Sequence, residues 1–223
     1  VPMRGWRREM TWADTGLTWT QTSPHIPGVR QAHLYVATGM VAMSTTNLSD
    51  GVGTTLPFEI VTAEFIDPPQ LAAALNASGL PGVRFQALAV KPFYGGFKDQ
   101  ALRGVRLHLD DPREFEPLRT ALTVLATLER LYPGKIAWAE EKIIGRHWGE
   151  TTLPARISRG DAVPDIQATA IRLKDAVIVG QAAASDVIGR GAQAGRAARR
   201  FSMQDITEAT ALALMEDMLT GRR

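Results

Sequence analysis

Cysteine is absent from the 223-residue chain. Its absence excludes disulfide scaffolds, thiol nucleophiles and zinc sites built on cysteine ligands. It does not indicate a compartment, because a protein without cysteine tolerates both reducing and oxidising surroundings. Long apolar runs are missing as well. The longest, at 121–128 and 176–184, are far shorter than the ~18–20 residues of a transmembrane helix, so we predict no transmembrane segment.

Neither sign of charge predominates in the chain. Lys and Arg total 25 against 23 Asp and Glu, which gives a formal net charge of +2. Because nucleic-acid-binding domains are usually clearly basic, this balance argues against a nucleic-acid partner. One local exception is a C-terminal arginine cluster, which is either a solvated helix face or a contact for an anionic partner. It comprises Arg190, Arg196, Arg199, Arg200, Arg222 and Arg223.

Residue patterns for metal or cofactor chemistry are also missing. The 4 histidines, His25, His33, His108 and His147, are far apart and match no zinc-ligand spacing. No G-x-S-x-G motif supports a serine nucleophile. The glycine-rich segment 189–195 fits neither a dinucleotide-binding nor a P-loop pattern. We therefore expect no metal and no cofactor.

The composition that is present is that of an ordinary globular protein. Hydrophobic residues make up 45% of the chain, enough for the core of one large domain or two small ones. Apolar patterning predicts an α+β fold with a mixed sheet and packed helices, rather than a regular βαβ series. We predict strands at 32–42, an apolar and partly β-branched run, and at 83–90 and 104–109, where apolar and polar residues alternate.

Helix signals stand out at several places. Asp67, followed by two prolines, predicts an N-cap and the first turn of a helix. Leucines at spacings of three and four from Leu118 to Leu131 predict the most regular helix, which we expect 110–112 to cap. A further helix is expected to start near Pro164, and a last amphipathic one after residue 202.

Both ends of the chain differ in composition from its centre. Residues 1–31 are interrupted by glycine and proline and predict an extended strap. The strap's indoles, Trp6, Trp12 and Trp19, either anchor it to the body of the protein or form a platform on which a sugar stacks. Residues 174–223 are rich in Ala and Arg and predict a helical tail of unknown role.

A polar loop at 44–55 interrupts the first apolar segments. It is dense in hydroxyl side chains and contains Gly51 and Gly53, while Asp50 and Glu59 flank its end. Glycoside hydrolysis usually requires two carboxylates across a cleft. Hydroxyl groups could supply hydrogen-bond donors and acceptors to a sugar. The loop is therefore either a ligand site or a turn-rich connection.

The loop also carries the signature of a known family. Residues 46–59, TNLSDGVGTTLPFE, resemble the TN-S-GRGT–PFE signature of the DUF1343 proteins, the exo-β-N-acetylmuramidases of the NamZ type. Other family motifs follow in the same order, among them LPGVRF at 80–85, GVRLHL at 104–109 and LYP at 131–133. The resemblance extends over residues 1–173.

The resemblance implies both a fold and a function. The family removes terminal β-1,4-linked N-acetylmuramic acid from the non-reducing ends of peptidoglycan fragments, in the periplasm or outside the cell. The match is confined to the family's C-terminal half, an α+β domain of a two-domain glycosidase-like protein. The Rossmann-like N-terminal half, which carries the family's catalytic carboxylate, has no counterpart here. We therefore assign no catalytic residue and expect that half to be a partner.

Within the loop, the resemblance implies a set of residues that bind a peptidoglycan-derived muramyl sugar or contact the catalytic half. They act through hydrogen bonds rather than proton transfer. They are Thr46, Asn47, Ser49, Asp50, Thr54, Thr55 and Glu59. Glu59 has a second interpretation, as a brace for the loop.

Two departures from the family pattern keep an alternative open. Ser44 and Thr45 stand where the family has a Glu-Gly pair, and Val52 stands where it has arginine between the glycines. A guanidinium fork is not replaced by an aliphatic side chain. The alternative is a non-catalytic carbohydrate-binding or scaffold protein derived from the family.

Overall fold

The computed structural model describes Gly5, Arg7 and residues 10–169 of the chain. Several sequence predictions lie outside these described residues: Trp6, the helix after residue 202, the tail at 174–223 and its arginine cluster.

The described residues form an α+β fold, as predicted. The helices are α1 (Val29–Met43), α2 (Pro68–Ala77), α3 (Pro117–Leu131), α4 (Glu141–Trp148) and α5 (Leu153–Arg159), with a 3-10 turn at Trp12–Thr15 and helical residues at 163–169. The strands are β1 (Ile60–Ala63), β2 (Val83–Val90) and β3 (Leu102–Leu109), in the order β1-β3-β2. Both pairings are antiparallel, so the sheet is antiparallel rather than mixed.

The predicted strand at 32–42 is wrong, because this segment lies in α1. Its buried residues include Leu34, Ala37, Thr38 and Val41, spaced three and four apart as on one face of a helix. The β-branched Val36 is 40% exposed and lies off that face. A continuous apolar run does not by itself distinguish a buried strand from a buried helix, and here packing against α3 selects the helix.

The α2 and α3 predictions are confirmed in their main features. Asp67 accepts a hydrogen bond from the Gln70 N–H (3.0 Å), as an N-cap does. Helix α3 ends at Leu131 as expected, but it starts at Pro117 with Glu116 as its N-cap. Residues 110–112 do not cap it, because the Gly82 carbonyl oxygen accepts from both N–H groups of 110 and 111 and holds them in a turn after β3.

The two faces of the sheet are covered differently. Val61, Phe85 and Leu107 belong to the main hydrophobic core, which also contains the buried side chains of α1, α2 and α3. Ile60 and Leu102 alternate with these core residues along the strands and are buried on the opposite face. That second face, which we call the loop face, is covered by connecting segments rather than helices.

The N-terminal segment is held by contacts within itself and by an ion pair with the body of the protein. The rings of Trp12 and Trp19 meet edge to face with centroids 5.2 Å apart. Trp19 donates to the Pro27 carbonyl oxygen (3.1 Å), and Arg113, in the connection before α3, pairs with Asp14 (2.7 Å). Within the described residues, no helix is long and apolar enough to cross a membrane.

Substitution at Gly104 should destabilise the fold. A Cβ atom there would lie 2.1 Å from the Val61 carbonyl oxygen and 2.9 Å from the Thr62 Cα, so β1 would be forced away from β3. We expect Gly104→Ala to lower the free energy of unfolding by about 3 kcal/mol in urea denaturation. Gly96→Ala is the matched control, because a Cβ at Gly96 meets no atom within 4 Å. Equal stability of the two variants would contradict the close approach of the strands.

Candidate functional site

The polar loop connects α1 to β1 and is fastened to the free edge of β1. The Ser49 N–H donates to the Thr62 carbonyl oxygen (2.8 Å), and the Thr62 N–H donates back to Ser49 (3.0 Å). The Ser49 hydroxyl is buried and accepts from the Gly51 N–H (3.2 Å). Ser49 therefore holds the loop in place and is not presented to a ligand.

The first residues of the loop are held by the segment between α3 and α4. Asn47 uses both ends of its amide, because Nδ2 donates to the Lys135 carbonyl oxygen (2.8 Å) and Oδ1 accepts from the Ala137 N–H (3.0 Å). The Thr46 N–H donates to the Ala137 carbonyl oxygen (2.7 Å). The Thr46 side chain is exposed, and its hydroxyl donates to the same carbonyl oxygen (3.3 Å). Of these two residues, Thr46 has the side chain that a ligand can reach.

The two loop glycines have positive φ angles and close backbone neighbours. Gly51 has a φ of 90°, and a Cβ there would lie 2.3 Å from the Leu56 carbonyl oxygen. Gly53 has a φ of 101°, and a Cβ there would lie 2.2 Å from the Tyr94 carbonyl oxygen. The Gly53 carbonyl oxygen also accepts from the Phe93 N–H (2.8 Å). The polar loop is thus packed directly against the connection between β2 and β3.

The threonines after Gly53 have different surroundings. The Thr54 hydroxyl donates to the Gly51 carbonyl oxygen (2.8 Å) and accepts from the Leu56 N–H (3.0 Å), so it stabilises a turn. Thr55 is exposed. Sequence reasoning grouped these residues with the ligand-facing ones, but Thr54 serves the loop's own conformation.

Glu59 is a brace. Its side chain is only 4% exposed, and its carboxylate accepts from Arg106 through Nη2 (2.6 Å) and Nε (3.1 Å). It also accepts a hydrogen bond from the Gln31 amide at the start of α1, and Arg30 lies 3.7 Å away. Glu59 therefore links α1, the end of the loop and β3. This agrees with the interpretation of Glu59 as a brace for the loop.

Asp50 has a different environment from Glu59. Its carboxylate accepts from the Val52 N–H (3.1 Å), and its carbonyl oxygen accepts from the Phe58 N–H (2.7 Å). Burial raises the pKa of the Asp50 carboxyl above its ordinary value, while that N–H and the charge of His25 oppose the rise. His25 is held in place by stacking on Tyr94, with ring centroids 5.9 Å apart.

A groove with two lobes lies between the polar loop and the connection between β2 and β3. The polar lobe has a volume of about 390 Å³ and the apolar lobe about 340 Å³. Thr46, Gly96 and Phe97 line both. The polar lobe is completed by Asn47, Glu64, Phe65, Gln100 and Leu102. The apolar lobe is completed by Ala42, Met43, Thr45, Leu48, Asp50 and Val52.

The groove brings together only some of the predicted residues. Thr46, Asn47 and Asp50 line it, whereas Ser49, Thr54, Thr55 and Glu59 are not among the lining residues of either lobe.

Sequence reasoning missed Phe97 and Gln100 in the wall of the groove. A signal existed in KPFYGGFKDQ at 91–100, where aromatic residues surround two glycines. These residues reach the site because their connection folds over the loop face of the sheet.

The two departures from the family signature have distinct surroundings. Ser44 is buried, where it donates to the Met40 carbonyl oxygen (2.5 Å) and accepts from the Trp148 indole (2.7 Å). Val52 lines the apolar lobe together with Asp50. Ser44 therefore serves packing between helices, while Val52 places an aliphatic side chain in the groove. The described residues contain no group of three or more potential ligands that could hold a metal ion.

Known proteins match the part of the chain that contains the groove. The family model described as exo-β-N-acetylmuramidase NamZ, C-terminal, matches residues 33–173. This range includes the polar loop and strands β1, β2 and β3. The chain belongs to the NamZ family. It is 35% identical over 170 residues to the peptidoglycan β-N-acetylmuramidase NamZ of Bacillus subtilis (strain 168), a match that covers 74% of this chain and 40% of that relative.

A solved relative of the NamZ family has the same fold. The crystal structure of a DUF1343 family protein from Bacteroides fragilis NCTC 9343 matches with a TM-score of 0.65 and 30% sequence identity. The match covers 77% of this chain and 47% of that one. The chain thus spans less than half the length of both relatives, as a C-terminal NamZ domain does.

Removal of the Glu59 charge should destabilise the protein. In Glu59→Gln, Arg106 loses its counterion inside the protein, although its side chain is 27% exposed and keeps some contact with water. We expect a loss of about 2–3 kcal/mol in the free energy of unfolding, measured by urea denaturation. Glu64→Gln is the control, because Glu64 is exposed and its substitution should change stability by less than about 0.5 kcal/mol. A loss below that level for Glu59→Gln would mean that the brace contributes little.

Asp50 should make stability depend on pH. Because its folded-state pKa lies above the ordinary 3.8, the folded chain binds this proton more tightly than the unfolded chain. Its contribution to the free energy of unfolding is therefore largest at low pH and decreases as the pH rises from about 4 through the raised pKa. Asp50→Asn cannot ionise, so its stability relative to wild type should increase over that range in urea denaturation. A pH-independent difference would contradict the raised pKa.

Proposed function

We propose that this chain is the substrate-binding, C-terminal portion of a peptidoglycan exo-β-N-acetylmuramidase. The observation that carries the proposal is that the family's signature loop forms one wall of the groove through Thr46, Asn47 and Asp50. The family match supports the substrate class. We infer that the protein acts where peptidoglycan is found, in the periplasm or outside the cell.

The chemistry of the groove suits a muramyl sugar. Ligand sites typically have volumes of about 300–1,000 Å³ and combine apolar walls with a few polar groups. Phe97 supplies an aromatic surface for the C–H face of a pyranose, and the Thr46 hydroxyl, whose hydrogen is donated to the Ala137 carbonyl oxygen (3.3 Å), supplies an acceptor. Asp50, with its raised pKa, supplies a carboxyl group that hydrogen-bonds a sugar hydroxyl in either protonation state.

The polar loop presents one carboxylate, Asp50, to the groove. Glycoside hydrolysis generally uses two carboxylates that flank the scissile bond. Glu59 is occupied by Arg106, which leaves Asp50 as the carboxylate of the polar loop that faces the groove. Both relatives are more than twice as long as their matched regions. We propose that the catalytic carboxylate lies in the portion of the enzyme that corresponds to their unmatched half.

An exposed surface of α1 is suited to contact that catalytic portion. Tyr35, Val36 and Met43 are large apolar side chains on one side of the helix, each with 38% or more of its surface exposed. Met43 also lines the apolar lobe. A catalytic portion seated on this surface would therefore lie beside the apolar lobe, and the muramyl sugar would be enclosed between the two.

One alternative function has specific support. Val52 gives the apolar lobe an aliphatic side chain where the family signature has arginine, so the groove lacks a guanidinium beside Asp50. Without it, the anionic lactyl group of a muramyl sugar gains no charged hydrogen bond at this position. This observation favours a non-catalytic carbohydrate-binding or scaffold protein derived from the family.

Hydrolysis of a chromogenic β-N-acetylmuramide separates the two functions. We expect no release of the chromophore by the chain alone, and release when the N-terminal portion of the Bacillus subtilis relative is added. Binding of the muramide to the chain, measured by isothermal titration calorimetry, is expected in either case. Release by the chain alone would contradict the proposal that the catalytic carboxylate lies in the other portion of the enzyme. Binding without release under both conditions would favour the binding or scaffold function.

Restoration of the family arginine should strengthen binding of the muramyl sugar. Val52→Arg places a guanidinium in the apolar lobe, where it can pair with the lactyl carboxylate. We expect about a tenfold gain in affinity for methyl β-N-acetylmuramide. The neutral methyl β-N-acetylglucosaminide lacks the carboxylate and serves as the control ligand, with unchanged affinity. An equal gain for both sugars would show that the arginine does not recognise the lactyl group.

A further inference from the structure

We propose that the polar lobe binds the second sugar of a muramyl disaccharide, while the apolar lobe binds the terminal muramyl ring. This inference rests on the proposed function and assigns a part of the groove to each ring. Residues from outside the signature, Glu64, Phe65 and Gln100, then recognise the sugar that remains after cleavage.

The shape of the groove supports two rings rather than one. Each lobe alone has a volume in the range of a small-molecule site, about 390 Å³ and 340 Å³. The lobes share Thr46, Gly96 and Phe97, so they are neighbours with a common boundary. A linked pair of rings can therefore occupy both lobes with its glycosidic bond beside Phe97.

The polar lobe has side chains available for hydrogen bonds with a sugar. Asn47 is not one of them, because its amide is bonded to the backbone at 135 and 137. Among the described residues, the Glu64 carboxylate has no ion pair and the Gln100 amide has no hydrogen-bond partner. A carboxylate accepts from two adjacent hydroxyls, and an amide both donates and accepts. Together they complement the hydroxyl groups on the polar edge of a pyranose.

The aromatic walls of the polar lobe are held before any ligand arrives. Phe65 meets Tyr132 edge to face, with centroids 5.6 Å apart, and the Tyr132 hydroxyl accepts from the Asp67 N–H (3.0 Å). Phe97 lies in a turn where its carbonyl oxygen accepts from the Gln100 N–H (3.2 Å). Preorganised walls reduce the entropy lost on binding.

The order of the two rings follows from the position of the lobes. Met43 belongs both to the apolar lobe and to the exposed surface of α1 on which we place the catalytic portion. In an exo-acting enzyme, the anomeric carbon at the bond to be broken belongs to the terminal ring. The ring next to the catalytic portion is therefore the terminal ring. The polar lobe is lined by Glu64 and Gln100 instead, so it receives the second ring.

The test compares two ligands on the complete chain by isothermal titration calorimetry. They are methyl β-N-acetylmuramide and the disaccharide in which N-acetylmuramic acid is β-1,4-linked to N-acetylglucosamine. We expect the disaccharide to bind about tenfold more tightly than the single sugar. Gln100→Ala and Glu64→Gln should each remove about threefold of that gain and leave the affinity for the single sugar unchanged.

Matched substitutions outside the groove provide the controls. Gln70→Ala on α2 and Glu114→Gln before α3 are exposed and should leave both affinities at wild-type values. Circular dichroism of each variant checks that the fold is retained.

Equal affinities for the two ligands would overturn the second-sugar assignment and leave the proposed function standing. A loss of both affinities in Gln100→Ala would overturn it as well, since the polar lobe would then hold the first ring. If neither sugar binds the wild-type chain, the proposed function and this inference are both overturned.

Discussion

The buried carboxylate of Glu59 is the interaction on which the candidate site depends. It accepts hydrogen bonds from Gln31 at the start of α1 and from Arg106 in β3, and it lies at the end of the polar loop. One carboxylate thus links α1, β3 and the end of the polar loop that connects α1 to β1. A buried Glu59 carboxylate without the Arg106 guanidinium would lower the free energy of unfolding. The two side chains therefore stabilise the fold only as a pair.

The second constraint is the close contact between the polar loop and the connection between β2 and β3. Gly51 and Gly53 let the polar loop approach Ile60 and the Tyr94 backbone at distances that exclude a side chain. The connection between β2 and β3 then becomes the opposite wall of the groove, with Phe97 at the boundary of the two lobes. A site assembled from two loops on a rigid sheet can change ligand preference through substitutions such as Val52 without loss of the fold.

Sequence reasoning succeeded where the signal was local. The Asp67 cap, the β2 alternation and the leucine spacing of α3 depend on neighbours a few residues away. It failed at 32–42, because a continuous apolar run fits a buried strand and a buried helix equally well until its partner is known. Within the site it could not separate Thr46 from Ser49, since both are small hydroxyl residues and only the bridge to β1 distinguishes them.

The motifs and apolar patterns of the sequence determined the family and the α+β class, because these rest on local patterns along the chain. Tertiary structure alone decided that Asp50 faces the groove while Glu59 does not, and that Phe97, Gln100 and Glu64 complete it. The physical reason is that burial and pairing depend on residues distant in sequence. Glu59 meets Arg106 47 residues later, and this contact turns a candidate ligand residue into a brace.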